Sequence, residues 1–185
     1  MSWITTKDGR KVNTDWFENK PIVSKYSGDS ITLQMALNSW AKNANGIKAA
    51  SIGTKYDGSV FGKVALNDEA KAEQITAFVK GHKTLVPIYR GVQNLSDEDY
   101  NRYTKVGADV SEKGLSSWTT DKGVATGHGR LGKGITFIKT SPTDNARGIG
   151  NRVGTDIENE VIGLDVLGKV KKVEKDKYTT YVYLE

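Results

Sequence analysis

Apolar residues recur at helical spacing up to about residue 80 of this 185-residue chain, and from there on they gather in short β-prone runs. In "SGDSITLQMALNSWAKNANG", Leu33, Leu37, Trp40, Ala41 and Ala44 fall three or four residues apart. This predicts a helix capped by Asp29 or Ser30 and stopped at Asn45-Gly46. "NDEAKAEQITAFVK" predicts a second helix over 67–80, with acidic residues in its first turn, where the helix dipole favours them. A short helix over 96–103 opens with a Ser-x-x-Asp cap, Ser96 to Asp99. Strands are predicted at 84–92, 116–119, 134–139, 158–165, 169–174 and 179–184. Asp8-Gly9 suits the turn of an N-terminal hairpin, which is free to lie outside the main fold. Helices first and strands after is the order of an α+β fold. A hairpin and helical part, 1–83, then packs on a mainly antiparallel β-rich core, 84–185, most simply as one domain.

Composition removes several chemistries. With no cysteine there is no disulfide, thiolate metal site or cysteine nucleophile, and His82 and His128 are too few for a histidine-built centre. No apolar run approaches the ~20 residues that cross a bilayer. The opening "MSWITTKDGRK" lacks a signal peptide's apolar segment, so a cytoplasmic protein without membrane attachment is expected. A net charge of +5 suits an anionic partner or simple solubility; no block of like charge or stacking aromatics favours nucleic acid.

One long polar segment, "TSPTDNARGIGNRVGTD", leads into "ENEVIGLD" and is expected to be a functional loop. Arg147 and Arg152 within it either meet an acidic target or keep the loop solvated. On an extended strand, Glu158 and Glu160 share one face about 7 Å apart. Arg90 ends one predicted strand, and Ser117 and Thr119 share a face of another. Taken singly these are ordinary surface features; their order along the chain carries the signal.

"IYRG", "GLSSWTTD" and "ENEVIGLD" together resemble the Arg, Ser-Thr-Ser and Glu-x-Glu motifs of the R-S-E class of mono-ADP-ribosyltransferases, the cholera-toxin-like, arginine-modifying enzymes. The resemblance runs from about Leu85 to the C-terminus and is most marked toward the small ADP-ribosyltransferases of T4-like bacteriophages. Two positions depart from the pattern: Trp118 stands where threonine is usual, and His128 lies near a place usually aromatic. The resemblance implies an ADP-ribosyltransferase fold with a two-sheet β core, and NAD as co-substrate with no metal. NAD would be bound by Arg90, Gly91, Ser117, Trp118 and Thr119. It further implies a monomer that modifies an exposed arginine of a host protein.

Chemistry supports those roles. A guanidinium fork holds phosphate or ribose oxygens and keeps its proton. Glu160 is the main catalytic candidate, because a carboxylate beneath the ribose binds a hydroxyl and stabilises oxocarbenium charge. Ser117 would hold that carboxylate. Glu158 would orient an acceptor arginine and take its proton, as a protonated guanidinium is a poor nucleophile. The alternatives are an NAD glycohydrolase, transfer to nucleic acid, and a catalytically silent basic binding module.

Overall fold

The computed structural model describes residues 3–5, 9, 11–13, 20–54, 66–140, 142–153 and 159–185. Contacts divide the chain into two compact units, Met1–Phe78 with Arg152–Gly154, and Val79–Asn151 with Thr155–Glu185.

In the first unit, β1 (Trp3–Thr5) and β2 (Lys11–Asn13) form the expected hairpin, Trp3 opposite Asn13, with Gly9 at φ 81° in the turn. The next helix begins later than its sequence implies. Ser30 belongs to a strand, β4 (Ser30–Ile31), which pairs with β3 (Ile22–Val23) and buries Ile31 completely. Thr32 is therefore the cap of α1 (Leu33–Lys42), its hydroxyl accepting the Met35 N–H at 3.2 Å. Leu33, Ala36, Leu37 and Trp40 make its buried stripe. The expected stop at Asn45-Gly46 is instead the start of α2 (Asn45–Ser51); α1 ends at Asn43, whose backbone is extended. The Asp68 side chain lies over Gly46, where an added Cβ would stand 2.2 Å from Oδ2 and push that carboxylate aside. The helix expected over 67–80 is α3 (Asp68–Val79), with Asp68 and Glu69 in its first turn. Gln34 Nε2 donates to the Arg152 carbonyl at 2.6 Å, and the Arg152 guanidinium lies 5.1 Å from the Phe78 ring centroid.

The second unit is built on a seven-stranded sheet. Pro87, with no N–H to give a ladder, splits the strand expected over 84–92 into β5 (Lys83–Thr84) and β6 (Ile88–Val92). Then follow α4 (Asp97–Tyr103), capped by Ser96 through the Asp99 N–H at 3.1 Å, β7 (Leu115–Thr119) and α5 (Lys122–His128). The remaining strands are β8 (Ile135–Lys139), β9 (Thr143–Asp144), β10 (Ala146–Gly148), β11 (Glu160–Leu164), β12 (Val170–Lys175) and β13 (Thr180–Leu184). Their order across the sheet is β10-β11-β7-β6-β8-β13-β12, with only β8 and β13 parallel.

Two corrections follow. The polar segment after β8 is only partly loop: Asn145 turns through φ 51°, and β10 then pairs with β11, Ala146 opposite Gly163. The two halves of the core also form one hydrogen-bonded ladder, but they meet at a single residue pair, Tyr89 opposite Thr119. Beneath it Ile88, Trp118, Phe137, Val161 and Val182 share a buried cluster, with Tyr100 and Tyr103 of α4 packed against it.

Candidate active site

Strand pairing decides which side chains meet. β11 runs antiparallel to β7, with Glu160 opposite Thr119 and Ile162 opposite Ser117. Opposed residues share a face and neighbours alternate, so Ser117, Thr119 and Glu160 lie on one side. Trp118 and Val161, 4% and 3% exposed, lie on the other, in the core. The Ser117 hydroxyl donates to Glu160 Oε2, which orients the carboxylate. Thr119, opposite both Glu160 and Tyr89, accepts the Asp121 N–H at 2.9 Å. Asp121 in turn caps α5, accepting from Gly123 N at 2.8 Å. The Trp118 indole N–H donates to Ser116 Oγ at 2.8 Å, so toward the Ser117 face this residue offers only backbone.

Beyond the Tyr89–Thr119 pair, β6 and β7 make no further ladder, and this unpaired interval between the two strands is referred to below as the wedge. Arg90 and Gly91 form one lip; Ser117 and Trp118 form the other. Arg90 lies opposite Phe137 and two residues from Ile88, so its side chain leaves the strand on the core side, away from Ser117 and Glu160. It turns to Glu112, with Nη1 3.1 Å from Oε1, the side chains being 20% and 39% exposed. Nη1 is buried and makes no well-directed hydrogen bond, so this contact is coulombic ion pairing rather than a fork.

Glu112 was not among the residues singled out from sequence, and no motif marks it. A strap along residues 109–114 fixes it. Val110 and Glu112 donate to the carbonyls of Gly168 at 2.8 Å and Val166 at 2.9 Å, and Gly114 donates to Asp165 Oδ1 at 2.7 Å. Asp109 accepts the Ser111 hydroxyl and N–H at 2.6 and 2.9 Å, and those bonds hold its carboxyl below the ordinary 3.8.

Gly91 has a packing reason of its own. An added Cβ would stand 2.1 Å from the Ala125 carbonyl oxygen and 2.8 Å from His128 Cβ, because α5 crosses directly over β6. Glu158 lies outside the described residues. Asn159 has φ 48°, and β11 begins at Glu160. Arg147 Nη1 lies 3.2 Å from His82 Nε2. Among the described residues no cluster of three or more His, Cys, Asp or Glu side chains could hold a metal, and no helix is long and apolar enough to cross a membrane.

No protein-family profile matches the chain, and no curated protein matches it in sequence. Solved structures do. Vis, an ADP-ribosyltransferase toxin from Vibrio splendidus solved with agmatine, superposes with a TM-score of 0.58 at 14% identity, over 92% of this chain and 78% of that one. Exoenzyme S from Pseudomonas aeruginosa, bound to carba-NAD and human 14-3-3 protein beta, gives 0.57 at 14% identity, over 82% of this chain and 72% of the other. The chain has the ADP-ribosyltransferase fold. BECa, an ADP-ribosylating toxin of C. perfringens solved with NADH, shares that fold at a TM-score of 0.52 and 15% identity, over 88% of this chain and 45% of its own.

Proposed function

We propose that the protein is an NAD-dependent mono-ADP-ribosyltransferase that modifies arginine side chains of a target protein, with the wedge between β6 and β7 as its active site. The observation that carries this reading is the Ser117–Glu160 hydrogen bond at the mouth of the wedge. A carboxylate held in one orientation by a neighbouring hydroxyl is what an oxocarbenium-like transition state requires.

NAD supplies a glycosidic bond with a good leaving group. Glu160 would sit against the nicotinamide ribose, accept a hydroxyl hydrogen bond and stabilise the charge that develops at C1′. Ser117 positions Glu160, and Thr119 fixes the strand end between them. Gly91 lines the opposite lip; the Arg90 guanidinium, which leaves β6 on the other face beside Glu112, would have to exchange Glu112 for an anionic group of a dinucleotide that passes through the wedge to that face. Trp118 contributes main chain only. Glu158 would take the proton released when an arginine nitrogen bonds to C1′. The agmatine complex of Vis favours an acceptor of this kind, since agmatine carries a guanidinium.

The test is incubation with labelled NAD and bacterial lysate, repeated with Glu160→Gln and Glu158→Gln. Label should enter protein with the native chain. Glu160→Gln should slow both transfer and nicotinamide release by on the order of 10²–10³-fold, and Glu158→Gln should reduce mainly transfer. Free ADP-ribose as the sole product would make the enzyme a glycohydrolase. Label on nucleic acid would move the acceptor there.

A further inference from the structure

Two arginines precede β11, and the fold gives them different neighbours. Arg152 packs, its guanidinium against the Phe78 ring. Arg147 lies on β10 opposite Ile162, and Ile162 lies opposite Ser117. Opposed residues share a face, so the register sets Arg147, Ile162 and Ser117 in one row across three strands, on the side of the sheet that carries Glu160. Ala146, the neighbour of Arg147, takes the other side and joins the core cluster with Trp118 and Val161. Glu160 is two residues from Ile162 and is therefore a diagonal neighbour of Arg147, with the two side chains rooted about 7–8 Å apart.

The chain around Arg147 holds it there. The Asn145 side-chain oxygen accepts the Gly81 N–H at 2.9 Å, and the Asn145 carbonyl accepts the Leu164 N–H at 2.8 Å. Ala146 donates its N–H to the His82 carbonyl at 3.2 Å and accepts the Thr84 hydroxyl at 2.9 Å. On the far side of Arg147, Ile149 donates to the Glu160 carbonyl at 3.0 Å. β10 is tied along both edges, and Arg147 is presented by a strand rather than by a loose loop. The same ties set the His82 ring beside the guanidinium, Nε2 3.2 Å from Nη1. Arginine can only donate, so Nε2 accepts and draws the guanidinium toward the outer edge of β10. This leaves a planar fork of N–H donors at the rim, one diagonal step out from the carboxylate.

Such a fork imposes a choice of acceptor. A substrate arginine brought to Glu160 is itself a cation, and a second guanidinium close by disfavours it unless it carries negative charge of its own. In an extended peptide, side chains two residues apart share a face at about 7 Å, which matches the interval from Glu160 to Arg147. We propose that Arg147 is a specificity-determining residue that selects acceptor arginines with an aspartate or glutamate two residues away, holding that carboxylate with paired N–H bonds. The inference rests on the transferase reading above and names the surroundings of the acceptor. A net charge of +5 draws an acidic target surface in the same sense.

The test uses capped pentapeptides with a central arginine, glycine on either side of it, and aspartate, asparagine or lysine at both ends. With labelled NAD, kcat/KM is measured for each peptide on the full native chain and on Arg147→Gln, Arg147→Lys and Arg147→Glu. The readout is the ratio of aspartate to lysine peptide within each protein, from which a general loss of activity cancels. The native chain should prefer the aspartate peptide by about tenfold or more, with the asparagine peptide between. Arg147→Gln should remove most of that preference, Arg147→Lys should keep its sign, and Arg147→Glu should reverse it, which misfolding cannot do. A native ratio near unity, or a ratio unchanged in Arg147→Gln, overturns the inference and leaves the transferase reading in place, since label still enters arginine. Absence of transfer to every peptide overturns it as well. Agmatine run beside them as acceptor then tells the two failures apart: if it is labelled, only the inference falls, and if it is not, the arginine-acceptor reading falls with it.

Discussion

Ser117 gives its hydroxyl hydrogen to the Glu160 carboxylate across the β7–β11 ladder, beside the point where β6 and β7 part. A hydrogen bond to a charged group contributes about 1.5–3 kcal/mol. Ser117→Ala should therefore slow nicotinamide release by roughly 10- to 100-fold with little change in melting temperature. Glu160→Gln, which removes the charge itself, should cost on the order of 10²–10³ in kcat. Steady-state rates of nicotinamide release check both.

Two glycines around one helix should respond in opposite directions. Gly91→Ala drives a methyl to within 2.1 Å of the Ala125 carbonyl oxygen, so α5 must lift from β6. Overpacking of this kind costs about 1–3 kcal/mol. Gly127→Ala meets open space and removes a flexible residue from α5, and should add about 0.5–1 kcal/mol. Thermal unfolding of the two variants beside the native chain decides it.

Gln74 is fully buried, and its amide donates to the carbonyls of Lys20 at 2.7 Å and Ile31 at 2.8 Å. Gln74→Leu keeps the volume but leaves both acceptors without that donor, a loss on the order of 2 kcal/mol or more. Urea denaturation should show a lower midpoint with an unchanged slope.

The strap that presents Glu112 to Arg90 should weaken in acid. The Ser111 hydroxyl and N–H hold the Asp109 carboxyl below its ordinary 3.8, so the stability it contributes is fully present above that pH. It is lost as the pH falls through the lower folded-state value. Asp109→Asn should be less stable than the native chain near neutrality, and the gap should close below about pH 3.8. Melting curves across that range would refute this if the gap stayed constant.

Much of this architecture could be read from local chemistry. Ser96 capping Asp99, the alternation that puts Ser117 and Thr119 on one face, and the strands over 134–139 and 179–184 need only neighbours in the chain. The misreadings lie where a distant partner overrides a local preference. Ser30 looks like a helix cap, but pairing with Val23 makes it strand. Asn45-Gly46 looks like a helix stop, yet Asp68 packs over Gly46 and a second helix starts there. Residues 146–148 lie in a polar, glycine-rich segment that looks like loop, but β11 offers them a ladder.

The order of three short motifs, through their resemblance to a known family, was enough to nominate Arg90, Ser117 and Glu160, while strand alternation within a short segment put Ser117 and Thr119 on one face. Folding in three dimensions settled that Glu160 meets Ser117 while Arg90 turns to Glu112, and that α5 sits tightly on Gly91 yet stays bare at Gly127. Those outcomes depend on which strands pair and on what crosses them, and register between segments far apart in the chain is set by packing the whole core at once rather than by any residue's own preference.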